Sequence, residues 1–362
     1  MTILGIDHVE LYVADLARSA AALCRDFGFR TAAGALPDLP REPDGPGRAR
    51  AAGSRSVLLR QGSIRLQLTT ATAPGHPAAG FVQRHGDGVA SIAFRTDDVN
   101  QAFDQAVAGG ATPIAVPALA GPGDGRVRQA AVSGFGDVSH RLVAREKPAA
   151  EDEATTGHRD GDVFEALDHA AICLRPGELE AVVRFYWSAF GLAYTFDERI
   201  EVGGQAMVSR VVQDRTGAVT FTFLEPAPGR DPGQIDQFLA AHGGAGVQHL
   251  ALRTPGIVPA VRTLASRGVE FLTAPAGYYR SLEGRLGPFD IPVDVLRKAN
   301  VLADRDQWGQ LFQIFSHSTH ERRTFFFELI ERRGARTFGS GNIRALYEAL
   351  DDERASSARP RS

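Results

Sequence analysis

Three residues in the second half of the chain have the chemistry of metal ligands. His169 and His249 lie in segments whose alternating pattern predicts strands, and Glu328 sits within a run of large apolar residues. A carboxylate in such a run is costly to bury unless it is paired or binds a metal. Two imidazoles and one carboxylate can hold Fe(II) and leave one face of the ion open for a bidentate substrate and O2. These residues therefore indicate a ferrous site.

Each of the three residues also has a purely structural explanation. A single histidine in an apolar strand is usually a hydrogen-bonded core residue, and Glu328 can pair with one of the nearby arginines. Because the three residues are 80 and 79 positions apart, they form no local metal motif. Their spacing alone decides nothing.

An internal repeat organises the chain. Residues 6–29 and 167–192 both open on Asp-His, continue as an alternating strand, and lead through an amphipathic helix to an aromatic-Gly pair. Residues 87–115 and 245–273 both give a strand that ends in Arg-Thr, then a helix, a Gly turn and another strand. The chain thus consists of two related halves, each built from two modules.

The repeat discriminates between the two explanations of the histidines. His8 takes the position of His169 in the first half, but Ser91 takes the position of His249. The segment that carries Glu328 finds no counterpart in the first half, which runs out near residues 144–148. This asymmetry favours a metal site in the second half, whereas His8 is explained as a hydrogen-bonded core residue.

The repeat also predicts the fold class and the domains. We expect an α+β protein in which each half pairs two βαβββ modules into an open β-barrel with outer helices. The predicted boundaries are 1–148 for a first half without a metal site, 149–166 for a polar linker, 167–352 for the catalytic half, and 353–362 for a disordered tail.

The bulk composition excludes several classes of partner. The chain has 362 residues, 40 basic and 43 acidic side chains, and a formal net charge of −3, which gives no reason to expect a nucleic acid or membrane partner. The two cysteines, Cys24 and Cys173, have no CxxC spacing, and no apolar run approaches membrane-spanning length. A cytoplasmic protein is predicted, and a homodimer is compatible with the sequence.

Four long segments of the second half, 233–254, 269–287, 301–315 and 324–350, resemble the 4-hydroxyphenylpyruvate dioxygenase family of the vicinal oxygen chelate superfamily. The first half resembles the family more loosely. The resemblance implies Fe(2+) as cofactor, a small 2-oxo acid and O2 as substrates, and the iron ligands His169, His249 and Glu328. It also implies a set of substrate-pocket residues: Ser209, Thr222, Leu224, Gln234, Gln248, Gln313, Phe315, Phe326, Phe338, Ile343 and Leu346.

The family has two branches, which differ in the carbon that is hydroxylated. The ring-hydroxylating branch, which forms homogentisate, has proline, asparagine and phenylalanine where this chain has Thr222, Leu224 and Ile343. These replacements resemble the branch that hydroxylates the benzylic carbon and forms 4-hydroxymandelate and CO2, a product that implies antibiotic biosynthesis. The homogentisate reaction is the alternative. A non-catalytic ligand-binding protein and an extradiol ring-cleaving dioxygenase are the rival classes.

Overall fold

The structure is a computed structural model, and it describes residues 3–32, 53–120, 127–145, 161–202, 204–274, 277–339, 341–342 and 344. Most of the predicted linker, the predicted tail, and the pocket residues Ile343 and Leu346 lie outside the described residues. The predictions made for them, and the exact domain boundaries, stay predictions.

The described strands form two mixed sheets of eight strands each. The first sheet has the order β2-β3-β4-β1-β5-β8-β7-β6. Its strands are β1 Ile3–Tyr12, β2 Arg30–Thr31, β3 Ser54–Gln61, β4 Ile64–Ala71, β5 Gly88–Thr96, β6 Pro113–Ala120, β7 Val127–Ser133 and β8 Ser139–Arg145. The second sheet has the order β10-β11-β12-β9-β13-β16-β15-β14. Its strands are β9 Ala166–Cys173, β10 Ala193–Val202, β11 Gln205–Gln213, β12 Thr220–Pro226, β13 Gly246–Arg253, β14 Leu302–Arg305, β15 Gln310–Phe315 and β16 Phe326–Arg333.

Helices connect the strands within and between the modules. They are α1 Leu16–Phe27, α2 Pro77–His85, α3 Val99–Ala108, α4 Leu179–Phe190, α5 Gln234–His242, α6 Ile257–Ser266, α7 Tyr278–Leu286 and α8 Val293–Lys298. The helices α1 and α4 end alike, because Gly28 and Gly191 adopt the left-handed conformation that stops a helix. The Asp15 side chain begins α1 by accepting from the backbone N–H of Arg18.

The two sheets repeat each other strand by strand, so the α+β fold of paired βαβββ modules is confirmed. In each sheet the two central strands are antiparallel to each other, and each of them is parallel to its outer neighbour. The sequence did not predict α2 and α5, which join the two modules of each half.

One apolar core runs through both halves. The ring of Phe27 lies 4.9 Å from that of Phe327, and Phe94 lies 6.0 Å from Phe221. Buried His140 of the first half also forms a hydrogen bond with the second half, since its Nε2 lies 2.6 Å from the Tyr186 hydroxyl. The second half therefore packs directly against the first half. Within the described residues, no helix is both long and apolar enough to cross a bilayer.

Candidate metal centre

Three neighbouring strands in the middle of the second sheet assemble the triad. Ala251 on β13 pairs with His169 on β9 and with Glu328 on β16, so these residues form one row across the sheet. Paired residues project to the same side of a sheet, and so does His249, two residues along β13 from Ala251. The small side chain of Ala251 is fully buried between the others and leaves room for them to approach.

Two β-bulges bring polar side chains beside the two histidines. The pairing of β9 with β13 shifts by one residue at Gln248 and again at Asp168, and such a shift re-aims the unpaired side chain. Asp168 Oδ1 lies 3.0 Å from His169 Nδ1, and Gln248 Oε1 lies 3.3 Å from His249 Nδ1. Because both oxygens accept, Nδ1 of each neutral imidazole carries the proton and Nε2 keeps its lone pair.

The ligand atoms converge at the spacing that one ion needs. Glu328 Oε2 lies 3.5 Å from His169 Nε2 and 3.3 Å from His249 Nε2. The three ligand atoms lie within 4.8 Å of one another, and all three side chains are buried. Atoms about 2.1 Å from one ion and at right angles to each other are about 3 Å apart. The site therefore fits a single divalent ion, and its donor set of two nitrogens and one oxygen suits Fe(II).

The electrostatics of the triad favour a carboxylate next to a charged imidazole when no metal is bound. Burial works to raise the pKa of Glu328, but the two imidazoles outweigh it and bring that pKa to about 2. Burial works to lower the pKa of His169, but Glu328 and Asp168 outweigh it and raise that pKa to about 9. Burial lowers the pKa of His249. A metal ion must therefore displace a proton from His169.

Because His169 carries this proton, the stability of chelator-treated protein should depend on pH. The pKa of His169 is higher in the folded protein than its ordinary value of 6.5. Protonation of His169 therefore stabilises the fold fully below pH 6.5, and this contribution is lost as the pH rises through about 9. We expect the free energy of unfolding in urea to fall by on the order of 1–3 kcal/mol across this range. His169→Gln is the control and should lose less over the same range. An equal loss in both proteins would contradict the assignment.

Asp168 is itself held by Arg332 on β16. The guanidinium donates to both carboxylate oxygens over 2.9 to 3.1 Å, and its remaining amino group donates to two backbone carbonyls of the loop after β16. It also lies 5.1 Å from the ring of Phe338, which contacts the His169 ring edge-on at 5.0 Å. Arg332 therefore links the orientation of His169 to the position of Phe338.

The predicted pocket phenylalanines surround the two imidazoles. The Phe326 ring stacks on His249 at 5.0 Å, and Phe315 meets the same imidazole at 6.1 Å. With Phe338 on the other histidine, these buried rings give the ligands an apolar wall. They hold the imidazoles in place and keep water from the side on which they pack.

The other described pocket residues lie on the strands beside the triad or at the start of α5. Thr222 on β12 shares a row with His249, because both pair with Ala171. Leu224 follows on the same face of β12 and pairs with Ser209. The three glutamines are all buried: Gln234, Gln248 and Gln313. The structure thus places Thr222 in the same row as His249 and buries the other described candidates, while the roles assigned to them stay predictions.

Strand β8 takes the place of β16 in the first half, so the prediction that the Glu328 segment has no counterpart is wrong. Ala93 pairs with His8 and with Arg141, which places a guanidinium where the second half has its carboxylate. Arg141 Nη2 donates to Glu10 over 2.8 Å, and both side chains are buried. The opposite charge hid this correspondence in the sequence. A fixed cation here supports the prediction that the first half holds no metal.

Sequence reasoning missed the residues that hold the ligands rather than bind the ion. Asp168 belongs to the repeated Asp-His motif, which by itself indicates no role for it, and nothing in the sequence distinguishes Arg332 from the other arginines near Glu328. The recurrence of Asp-His at the start of both halves was the available signal. Tyr278 and Asn342, which contact the site through Gln313, carried no comparable signal.

Comparison with known proteins places this fold and site in a class. The profile of the Glyoxalase/Bleomycin resistance protein/Dioxygenase superfamily matches residues 5–139 and 166–314, one match in each half. A triple mutant of 4-hydroxymandelate synthase from Streptomyces coelicolor is 41% identical in sequence, with a TM-score of 0.84, over 98% of this chain and 100% of that one.

Curated relatives narrow the class to a family. The 4-hydroxyphenylpyruvate dioxygenase of Dictyostelium discoideum is 31% identical over 96% of this chain and 97% of its own length. That of Coccidioides posadasii is 30% identical over 97% of this chain and 93% of its own length. The chain belongs to the 4-hydroxyphenylpyruvate dioxygenase family, and it is an enzyme of the non-haem iron dioxygenase type.

Proposed function

We propose that the chain binds Fe(II) through His169, His249 and Glu328 and converts 4-hydroxyphenylpyruvate and O2 into 4-hydroxymandelate and CO2. The convergence of three buried ligand atoms from three adjacent strands carries the metal part of this proposal. The names of the relatives, 4-hydroxyphenylpyruvate dioxygenase and 4-hydroxymandelate synthase, support the substrate and the type of reaction.

The reaction removes one carbon and adds both oxygen atoms of O2 to the organic product. The 2-oxo acid loses its carboxyl group as CO2, one oxygen atom enters the new carboxylate, and the other becomes the hydroxyl group. Fe(II), when bound, supplies the activation of O2. The side chains of the protein orient the substrate, and the apolar rings of Phe315, Phe326 and Phe338 shield the reacting groups from water.

The identity of the product depends on how the substrate ring is held. Leu224 is buried in an apolar cluster with Ile200, Met207 and Phe238, so the side chain at position 224 offers no amide to the phenol hydroxyl. We infer that packing places the ring and that the benzylic carbon lies nearest the reactive position. A displacement of about 1 Å can change a rate on the order of a hundredfold, so loss of one anchoring amide is enough to change the product.

Product analysis tests this assignment. Protein reconstituted with Fe(II) is given 4-hydroxyphenylpyruvate under air, and 4-hydroxymandelate is the expected main product. Homogentisate is an isomer of 4-hydroxymandelate and has the same mass, so the measurement is proton NMR of the ring. Two pairs of equivalent ring protons indicate 4-hydroxymandelate, and three distinct ring protons indicate homogentisate. Homogentisate as the main product would refute the benzylic assignment but would keep the iron site.

Two further measurements address the rival classes. A protein that binds a ligand without chemistry would show no substrate-dependent O2 uptake. An extradiol enzyme would turn over catechol, and we expect no catechol turnover here.

Phenylpyruvate, which lacks the phenol hydroxyl, should also be turned over if packing, and not a hydrogen bond to the hydroxyl, holds the ring.

A further inference from the structure

We propose that Gln313 and Asn342 are positioning residues for the Glu328 carboxylate, and that Gln313 acts through this ligand rather than as a substrate contact. The proposal rests on the metal site proposed above. Gln313 Nε2 donates to Glu328 Oε1 over 2.7 Å, and Asn342 Nδ2 donates to Gln313 Oε1 over 2.8 Å. The exposed fractions of the three residues are 1% or less, so bulk water does not compete for these bonds.

The hydrogen bonds of this relay all point the same way. Because Asn342 Nδ2 is used by Gln313, its Oδ1 faces the Tyr278 hydroxyl, which lies 2.6 Å away. That hydroxyl accepts in turn from the backbone N–H of Ala303 over 2.8 Å. The Tyr278 hydroxyl also lies 2.8 Å from the Ala303 carbonyl, so its single hydrogen has two acceptors. The bond from Asn342 Nδ2 to Gln313 Oε1 therefore orients both amides. The relay ends by presenting an N–H to the metal carboxylate.

The relay decides which oxygen of Glu328 is left for the ion. Oε1 is taken by Gln313, whereas Oε2 is the oxygen that lies 3.3 and 3.5 Å from the two imidazole nitrogens. The carboxylate is thereby set to bind through one oxygen, which leaves more of the ion open. Both ends of the Gln313 amide are engaged within the protein, with a weaker contact to the Phe338 carbonyl at 3.4 Å.

The backbone around the relay is built for close approach. Gly339 has a φ of 70°, and a Cβ there would lie 2.6 Å from Gln313 Oε1 and 3.2 Å from Asn342 Nδ2. The Asn342 N–H is bonded to the Gly339 carbonyl over 2.9 Å, and the Gly341 N–H to the Asp304 carboxylate over 3.1 Å. Gly339 thus lies close to the two amides, and Asn342 connects its segment to the metal ligand through Gln313.

Asn342→Asp tests the relay with a change that keeps the side-chain size. The new carboxylate cannot donate to Gln313, so the amide must turn and place its oxygen against Glu328. We expect the Kd for Co(II), measured by titration of the purified protein, to rise at least about tenfold, as for other partners of metal ligands. We also expect the visible absorption of bound Co(II), which reports ligand geometry, to change.

Gln313→Leu provides a second variant should the first not fold. If the amide serves Glu328, this variant binds Co(II) more weakly and loses kcat at saturating Fe(II). If Gln313 instead contacts substrate, KM rises while the Co(II) Kd and spectrum stay at wild-type values, and that result overturns the proposal.

Asn300→Asp is the matched control. Asn300 accepts from the Ala274 backbone N–H over 2.9 Å and donates to the Leu272 carbonyl, but it has no contact with the triad or the relay among the described residues. It should lower the melting temperature without changing Co(II) binding. If wild-type protein binds Co(II) and Asn342→Asp is indistinguishable from it, only the relay is refuted. If wild-type protein binds no Co(II), both the metal site and the relay are refuted.

Discussion

Glu328→Gln is expected to lower turnover of the 2-oxo acid by more than about 100-fold and to weaken Fe(II) or Co(II) binding by a similar factor. Loss of a contact to a metal ligand already costs about 10–100-fold, and here the ligand itself loses its charge. The replacement keeps the shape of the side chain, and the amide oxygen can still accept from Gln313. Metal content after dialysis and substrate-dependent O2 uptake are the two measurements.

Glu331→Gln is the control for this substitution, since it makes the same chemical change three residues further along β16. Glu331 is also buried, but its carboxylate accepts from the Ile257 N–H over 2.7 Å and pairs with Arg333 at 2.6 Å. This variant should lose stability and keep the metal affinity of the wild type. Equal loss of metal binding in both variants would remove Glu328 from the ligand set.

The parts of the site that are local in sequence could be predicted. The strands that carry His169 and His249 were indicated by alternation, which depends only on neighbouring residues, and the internal repeat supplied the modules. The resemblance to a family then named the three ligands and the pocket. Strands β9 and β13 lie where the pattern placed them.

The parts that depend on strand register could not be predicted. Alternation does not show that Ala251 lies between His169 and Glu328, because this pairing joins strands that are far apart in the chain. Nor does it show the bulge that turns Asp168 toward its neighbouring imidazole, since a bulge breaks the very alternation that identifies a strand. Arg332 reaches Asp168 across 164 residues of sequence.

Substituted positions were equally hidden. Arg141 occupies the position of Glu328 in the first half but has the opposite charge. A comparison of the two sequences does not match an arginine with a glutamate. Asn342 and Tyr278 contact the site through a hydrogen-bond chain that joins segments 64 residues apart. Such residues are recognisable only after the fold has brought their polar atoms together.

The two halves share an Asp-His-Arg arrangement, although, within the described residues, only the second half has a triad that could hold a metal. Asp7 lies 2.8 Å from His8 Nδ1 and 3.2 Å from Arg145 in the first half, just as Asp168 lies beside His169 and Arg332 in the second. In the first half this arrangement orders a buried imidazole in the core. In the second half the same arrangement is available to aim Nε2 at an ion. Comparing the two halves therefore distinguishes the contribution of the carboxylate to stability from its contribution to metal binding.

Asp168→Asn is expected to weaken metal binding by about 10–100-fold. Burial works to raise the pKa of Asp168, but His169 and Arg332 outweigh it and hold that pKa well below its usual range, so the native side chain is a carboxylate that only accepts. An asparagine can turn its NH2 group to His169 Nδ1, which moves the imidazole proton to Nε2 and blocks the ligand atom. Titration with Co(II) at constant pH measures the loss.

Asp7→Asn makes the same change in the first half, whose described residues form no such triad. Both variants remove a buried carboxylate that pairs with arginine, so both should lower the free energy of unfolding. Only Asp168→Asn should also change the Co(II) Kd, because His169 faces Glu328 and His8 does not. If both variants weaken Co(II) binding alike, the effect comes from the loss of stability, and the Asp168 carboxylate has no separate part in orienting the ligand.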